Sequence, residues 1–484
     1  MTTSDPLSVA AEAARRFLAG VADRPVGSAA TPAELTAALG GPLPEDGVDA
    51  ARVVADLARA ADPGIVASAG PRYFGFVVGG SLPAAMGADW LTTAWDQNAG
   101  IYVLSPAAAV VEDVAAGWLL DLFGLPASAS VGFVTGCQMA NTTCLAAARN
   151  AVLRRAGWDV EQRGLFGAPQ IEVIVGGEAH VTIFTSLRLL GLGAARVRTV
   201  AAVEQGRMRP DALRDALAGG TGSAIVCAQL GNVNTGACDP LEEIAPLAHG
   251  RGAWLHVDGA FGLWAATSPR HRHLTAGAAR ADSWATDAHK WLNVPYDSGV
   301  AIVTDSAAHR AAFTATAAYL VKGGDGRRDA EDWTPEFSRR ARGFPVYAAL
   351  RSLGRRGVAA LVDRCCDLAR LMAERLRAVP GAEILNDVVL NQVLVRFRPA
   401  AGGDAGAFTQ AVITRVQQDG TCWLGGTTWH GAAAMRVSFS NWSTTAADVE
   451  RSAAAIAQAA RGGASQAGRG RPRGSLPPRG RRAP

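Results

Sequence analysis

Ala253-Trp254-Leu255-His256-Val257-Asp258-Gly259-Ala260 is an apolar run ending on an acid, and 32 residues past that acid, after Thr286-Asp287-Ala288-His289, comes Lys290. The intervening run 283–286 is again short and apolar. The same signature recurs at 131–135, 171–175, 197–200, 224–229 and 299–304, with helical patterns at 138–155, 181–190, 209–218 and 240–251 between several of the runs. Strands that are apolar throughout, separated by helices, predict an α/β fold with a mostly parallel sheet covered on both faces. Asp258 and Lys290 then follow two such strands and face one cleft at the carboxyl edge of the sheet, where open α/β sheets take their ligands.

The lysine is unusual for its rarity. Of 47 basic residues only Lys290 and Lys322 are lysines. A guanidinium stays protonated at any accessible pH, whereas an amine can lose its proton and attack a carbonyl carbon. Lys290 stands between Trp284 and Trp291, surroundings expected to desolvate the ammonium and lower its pKa. Lys322 precedes Gly323-Gly324-Asp325-Gly326-Arg327-Arg328 and reads as a solvated side chain.

With 484 residues the chain is expected to form two or three units. An apolar content of 49% with 19% charged residues is that of an ordinary globular protein. No apolar stretch reaches the roughly 18 residues a membrane span needs. Met1-Thr2-Thr3-Ser4-Asp5-Pro6 has neither the basic nor the apolar region of a secretory leader, and the seven scattered cysteines include no C-x-x-C pair. The cytoplasm is therefore the expected compartment. The net charge of +4 owes seven arginines to residues 461–484, which contain no acid, so the body sums to −3. That Arg/Gly/Pro tail reads as a disordered, solubilising extension. Without a basic stripe carrying interleaved aromatics, the body gives no reason to expect a nucleic-acid partner.

Residues 1–70 read as helices broken by prolines, with amphipathic segments at 9–18 and 48–61 that must pack on a neighbour. Residues 71–345 form the large unit. From 346 to 461 come helices at 346–353 and 358–379, a strand at 388–397, a helix at 407–418, a strand at 435–439 and a helix at 446–460, a smaller α+β unit. Residues 462–484 are the tail.

Four segments bring polar groups to the strand ends. Thr135-Gly136-Cys137-Gln138-Met139-Ala140-Asn141 is a strand, turn and helix start whose N–H groups suit a phosphate. Gly176-Gly177-Glu178-Ala179-His180 places a histidine either against an aromatic ring or as a helix cap. Asp258 ends a buried strand and calls for a cation, such as a protonated pyridine nitrogen, or else caps the next helix. Lys290 supplies an amine. Phosphate cradle, ring-stacking group, ring-nitrogen partner and imine-forming lysine are the parts a pyridoxal 5'-phosphate site requires.

His256-Val257-Asp258-Gly259-Ala260 followed by Asp287-Ala288-His289-Lys290-Trp291-Leu292-Asn293-Val294-Pro295-Tyr296-Asp297-Ser298-Gly299 resembles the pyridoxal-dependent group II decarboxylases, the aromatic-amino-acid, glutamate, histidine and diaminobutyrate decarboxylases of fold type I. Gly231-Asn232-Val233-Asn234-Thr235-Gly236, Ser338-Arg339-Arg340 and Arg436-Val437-Ser438 extend the likeness from about Tyr73 to Ile456. The resemblance implies an aspartate-aminotransferase-like large domain, a small C-terminal domain and a homodimer that shares its active sites. It implies that Lys290 holds the cofactor as a Schiff base, His289 contacts the phosphate, Asp258 pairs the ring nitrogen and His180 stacks on the ring. Cys137 and Gln138 match phosphate-loop positions, and Asp287 stands where Asn or Ser often reaches the phosphate. The activity implied is decarboxylation of an amino acid; a carbon–carbon lyase of aldolase type and a decarboxylation-dependent aldehyde synthase are the alternatives. A binding scaffold that has lost activity is opposed by the retained Lys290 and Asp258. In Tyr73-Phe74-Gly75-Phe76-Val77-Val78-Gly79-Gly80, residues 77–79 are smaller than in the aromatic-specific members, which gives no support to an aromatic substrate. The loop 321–335 lacks the tyrosine that returns a proton in the family, leaving Tyr319, His180 or a partner-chain group for that task. Arg342 and Arg436 are candidates for a substrate carboxylate or for structural ion pairs.

Overall fold

The computed structural model describes residues 5–220, 222–314 and 327–462. Tyr319, Lys322, part of the 320–335 loop and the tail from residue 463 lie outside them. The large sheet contains β1 (Ser130–Val134), β2 (Ile171–Gly176), β3 (Arg198–Val200), β4 (Ser223–Gln229), β5 (Trp254–Asp258), β6 (Ser283–Asp287) and β7 (Gly299–Val303), in the order β1-β7-β6-β5-β4-β2-β3. From β3 to β6 every pairing is parallel, while β7 runs antiparallel to both β6 and β1. The reversal has a simple cause. Only residues 288–298 join β6 to β7, too few for a crossover that would restore the parallel direction. The lysine therefore sits in a tight return between two paired strands.

Both faces of the sheet are buried, as continuous apolar strands require. Val134, Val175, Ile225, Trp254 and Ala301 pack with the helix Cys137–Arg155 on one side. Phe133, Ile174, Val226, Leu255, Val257 and Ile302 face the opposite core. A second sheet holds β8 (Ala382–Ile384), β9 (Gln392–Phe397), β10 (Gly425–Trp429) and β11 (Ala432–Ser438), antiparallel throughout in the order β10-β11-β9-β8. The two helices expected at 346–353 and 358–379 lie within Gly343–Arg377, separated by a kink at Gly354, where φ is 61°. Pro32 opens a helix that the sequence reading missed. It is the first residue of Pro32–Leu39, where the missing N–H costs nothing, behind a capping box of Thr31 and Glu34. The amphipathic helices Pro6–Gly20 and Ala50–Ala61 bury only Ala51 within the single chain, while Val26 and Ala67, outside them, are buried beside Tyr73 and Trp423.

The segment after the 320–335 loop is fixed by a buried ion pair. Arg339 Nη1 donates to Glu112 Oε1 at 2.7 Å and to the carbonyl of Ala99 at 2.9 Å, and Nη2 donates to the carbonyl of Phe133 on β1 at 2.6 Å. Neither charged side chain is more than 1% exposed. Removing one partner strands the other in a dry interior, so Glu112→Ala is expected to cost about 3–5 kcal/mol of unfolding free energy, measured by urea denaturation.

Candidate active site

The cleft is built at the carboxyl ends of four strands. β5 ends on Asp258 and β6 on Asp287; β1 leads through Thr135-Gly136 into the helix Cys137–Arg155; β2 leads into His180 at the head of the helix Val181–Leu189. Gln229, which is paired with Asp258 across β4 and β5, accepts the His180 backbone N–H through its side-chain oxygen at 3.2 Å. The parallel register thus places the histidine and the aspartate side by side.

Asp258 is buried, and its partners are all neutral. Asn141 Nδ2 donates to Oδ2 at 3.2 Å, the Ala260 N–H donates to Oδ1 at 3.1 Å, and the Cys137 thiol lies 3.5 Å from Oδ1. Burial, and then the nearby Asp258 carboxylate, push the Cys137 thiol well up, so it remains a thiol. Cys137 faces Asp258 with its side chain and Asp287 with its backbone: its N–H, at the helix start, donates to Asp287 Oδ1 at 2.6 Å.

Asp287 also meets Lys290 Nζ at 2.9 Å and His289 Nε2 at 3.3 Å. The expectation of a lowered lysine pKa is corrected here. Burial works most strongly against the ammonium, but Asp287 and the other acidic neighbours, Asp258 among them, together outweigh it, and the pKa of Lys290 stands above its ordinary value. His289 Nδ1 accepts the Ser298 N–H at 3.2 Å, so its hydrogen is on Nε2, directed at Asp287. Burial lowers its pKa, and its ring packs against Tyr296 at 4.3 Å. His180 is free to serve in both of the ways its sequence allows. Its Nδ1 caps the following helix, 3.4 Å from the Thr182 N–H and 2.8 Å from Thr182 Oγ1, which leaves Nε2–H free. Burial lowers its pKa as well. The Gln138 carbonyl accepts from Thr142 and Ser186, and its side chain lies one residue into the helix. Arg342 is taken up by Asp297 at 2.7 Å, whereas Arg436 donates only to the Val233 carbonyl at 3.2 Å and has no acid partner among the described residues.

Residues the sequence reading passed over hold this constellation. Asn293, at φ 55°, accepts the N–H groups of Gly80 and Trp442 at 2.6 and 2.9 Å and donates to the carbonyls of Trp291 and Ser440, binding the lysine return to two other segments. Gly79 passes so close that an added Cβ would lie 2.0 Å from the Lys290 carbonyl oxygen. Nothing in the local sequence around Asn293 indicates the two segments it reaches.

A family model described as the pyridoxal-dependent decarboxylase conserved domain matches residues 32–398. The chain belongs to the pyridoxal-dependent decarboxylase family. It is 30% identical to the acidic amino acid decarboxylase of Bos taurus over 323 residues, 65% of this chain and 61% of that protein, so the match spans somewhat less than two thirds of that relative. It is also 30% identical to the L-2,4-diaminobutyrate decarboxylase of Rhizobium meliloti over 428 residues, 87% of this chain and 84% of that protein. Among solved structures, Oryza sativa TDC with PLP and tryptamine superposes with a TM-score of 0.88 at 24% identity, over 94% of this chain and 97% of that one.

The cofactor of the family is pyridoxal phosphate, and the donor set here fits it: a primary amine, a buried acid held by neutral donors, a neutral imidazole, and a helix start preceded by Gly136. An added Cβ at Gly136 would come within 3.1 Å of the His289 ring. Among the described residues no cluster suits a metal ion. Because Asp287 holds the Lys290 proton, Asp287→Asn is expected to lower the lysine pKa. The condensation of cofactor-free protein with pyridoxal, which lacks the phosphate, then reaches its half-maximal rate at lower pH than in wild type, followed by absorbance.

Proposed function

We propose that the protein removes the α-carboxylate of an amino acid as carbon dioxide, with Lys290 holding the cofactor, Asp258 pairing its ring nitrogen, His180 against the ring face, and His289, Cys137, Gln138 and Asp287 around the phosphate. The observation that carries this reading is the meeting of Lys290, Asp258 and the Cys137 helix start around one cleft. When bound, pyridoxal phosphate supplies a sink for the electron pair left on the α-carbon. Asp258 preserves that sink by remaining an anion beside the ring nitrogen. His180 returns the proton to the α-carbon after first taking one up, so that it ends neutral with its hydrogen on Nε2. Arg436, a cation with no acid of its own among the described residues, receives a substrate carboxylate, while Arg342 is structural.

The assembly proposed is a homodimer with a shared site. Trp90, Leu91 and Trp95 on the helix Pro83–Trp95, with Val103, Leu104, Val110 and Val114, are large apolar side chains left exposed within residues 90–114 of the single chain, which supports a partner on this part of it. Residues 71–345, around the seven-stranded sheet, are read as the cofactor unit, and 346–461, with most of the four-stranded sheet's cover, as the small unit. Among the described residues no helix is long and apolar enough to cross a membrane, and all seven cysteines are unpaired and buried, which supports a reducing cytoplasm as the compartment.

Lys290→Ala is expected to abolish both the visible absorbance of cofactor-reconstituted protein and carbon dioxide release across an amino-acid panel; a colourless wild-type protein would overturn the assignment. Light scattering should give twice the 50.0 kDa chain mass for wild type, falling toward a single chain in Trp95→Asp.

A further inference from the structure

Behind Asp258, on the side away from Lys290, a file of polar side chains crosses the interior one hydrogen bond at a time. Asn141 donates to Asp258 through Nδ2, and its Oδ1 lies 2.9 Å from His256 Nε2. His256 Nδ1 is 2.9 Å from Ser283 Oγ, and Trp254 Nε1 donates to that same oxygen at 2.9 Å. Asn141, His256 and Ser283 are fully buried, and Trp254 nearly so.

Only the ends of this file have a fixed sense. A carboxylate only accepts and an indole N–H only donates. Starting from Asp258, the amide of Asn141 must turn its nitrogen to the acid and its oxygen to His256. Nε2 of His256 must then carry the hydrogen, which leaves Nδ1 bare for the hydroxyl hydrogen of Ser283. The Ser283 oxygen in turn takes the indole N–H of Trp254. Each bond of the file joins one donor to one acceptor. A proton added to His256 would set Nδ1–H against the Ser283 hydroxyl with nowhere for that hydrogen to go, and burial already depresses His256 to about 4. All the donors point the same way, toward the carboxylate, so each bond polarises the next.

We propose that Asn141, His256 and Ser283 are positioning residues whose aligned hydrogen bonds keep Asp258 ionised and aimed at the ring nitrogen of the cofactor. This rests on the assignment of Asp258 to that nitrogen. It explains how an acid whose partners within the chain are all neutral remains an anion in a dry interior: directed dipoles take the place of a counter-ion until the ring nitrogen arrives. His256 thereby gains a function that its position inside a strand does not suggest.

The test uses the full-length chain without cofactor and then with two probes. Nitrogen NMR of histidine-labelled apo protein should show His256 neutral, with its hydrogen on Nε2, from pH 5 to 9; a cationic ring or an Nδ1–H tautomer would overturn the relay. Affinity is then compared for pyridoxal phosphate and for its deaza analogue, in which a C–H replaces the ring nitrogen. The ratio of the two affinities reads the Asp258 contact and is indifferent to the phosphate and to the lysine. His256→Phe should shrink the ratio by about fivefold, the weight of the one neutral hydrogen bond that orients Asn141, while His256→Gln, which keeps a donor facing Asn141, should restore most of it. An unchanged ratio in a folded His256→Phe protein would refute the proposal. Should that variant fail to fold, Ser283→Ala, one step further from the acid, is expected to give a smaller loss of the ratio together with a shifted His256 tautomer, and no change in either would count equally against it. A wild-type protein that fails to discriminate the two probes would instead remove the Asp258 assignment, with the NMR result still deciding the relay.

Discussion

A carboxylate at the end of a buried central strand is the constraint around which this molecule is arranged. Asp258 makes no ion pair among the described residues, and its direct partners are Asn141, the Ala260 N–H and the Cys137 thiol. To bring Asn141 and Cys137 there, the helix Cys137–Arg155 must lie across the middle of the sheet with its first turn over the ends of β5 and β6. Its small side chains, Ala140, Ala147, Ala148 and Ala151, permit that close approach. The same placement delivers the helix start to Asp287, and Asp287 delivers Lys290. One packing decision sets the two ends of the cleft.

Much of this was legible in the sequence, for physical reasons. Most strands of the large sheet are apolar and buried on both faces, so they show as uninterrupted runs, and the residues ending them could be assigned to one edge; of the edge strand β3, Arg198-Thr199-Val200, only Val200 is buried. The strands missed were β8, three residues long, and β10, which begins Gly425-Gly426 and alternates between exposed and covered positions at the edge of its sheet. Neither carries enough apolar side chain to announce itself. Within the site, Lys290, Asp258 and His180 stood out because amine, acid and imidazole are rare in such surroundings.

The failures within the site share one cause. The charge of Lys290 was misjudged because Asp287, three residues earlier, was read as a neighbour of the phosphate alone. The direction of its side chain depends on how the return between β6 and β7 folds, and nothing in the local sequence fixes that. Asn141 lay inside a helical pattern, where a lone amide ordinarily faces water, and His256 inside a strand. Their function exists only across β5, β6 and the helix together, at sequence separations above one hundred residues for the Asn141 bonds.

The two acids of the cleft are held in opposite ways, and the difference suits the chemistry. Asp258 is surrounded by neutral donors directed at its two oxygens. Asp287 is surrounded by groups that can leave it: a lysine able to give up its proton, a helix start that accepts any anion, and a histidine that burial keeps neutral. A phosphate arriving at the Cys137 N–H competes with Asp287 for the same donor, and two anions cannot both retain it. Loss of the Lys290 proton leaves the cleft more negative, so the ammonium is favoured while Asp287 faces it. An acid in this position, rather than a neutral amide, therefore holds the lysine charged until the site is filled, and the amine becomes a nucleophile as that contact is given up.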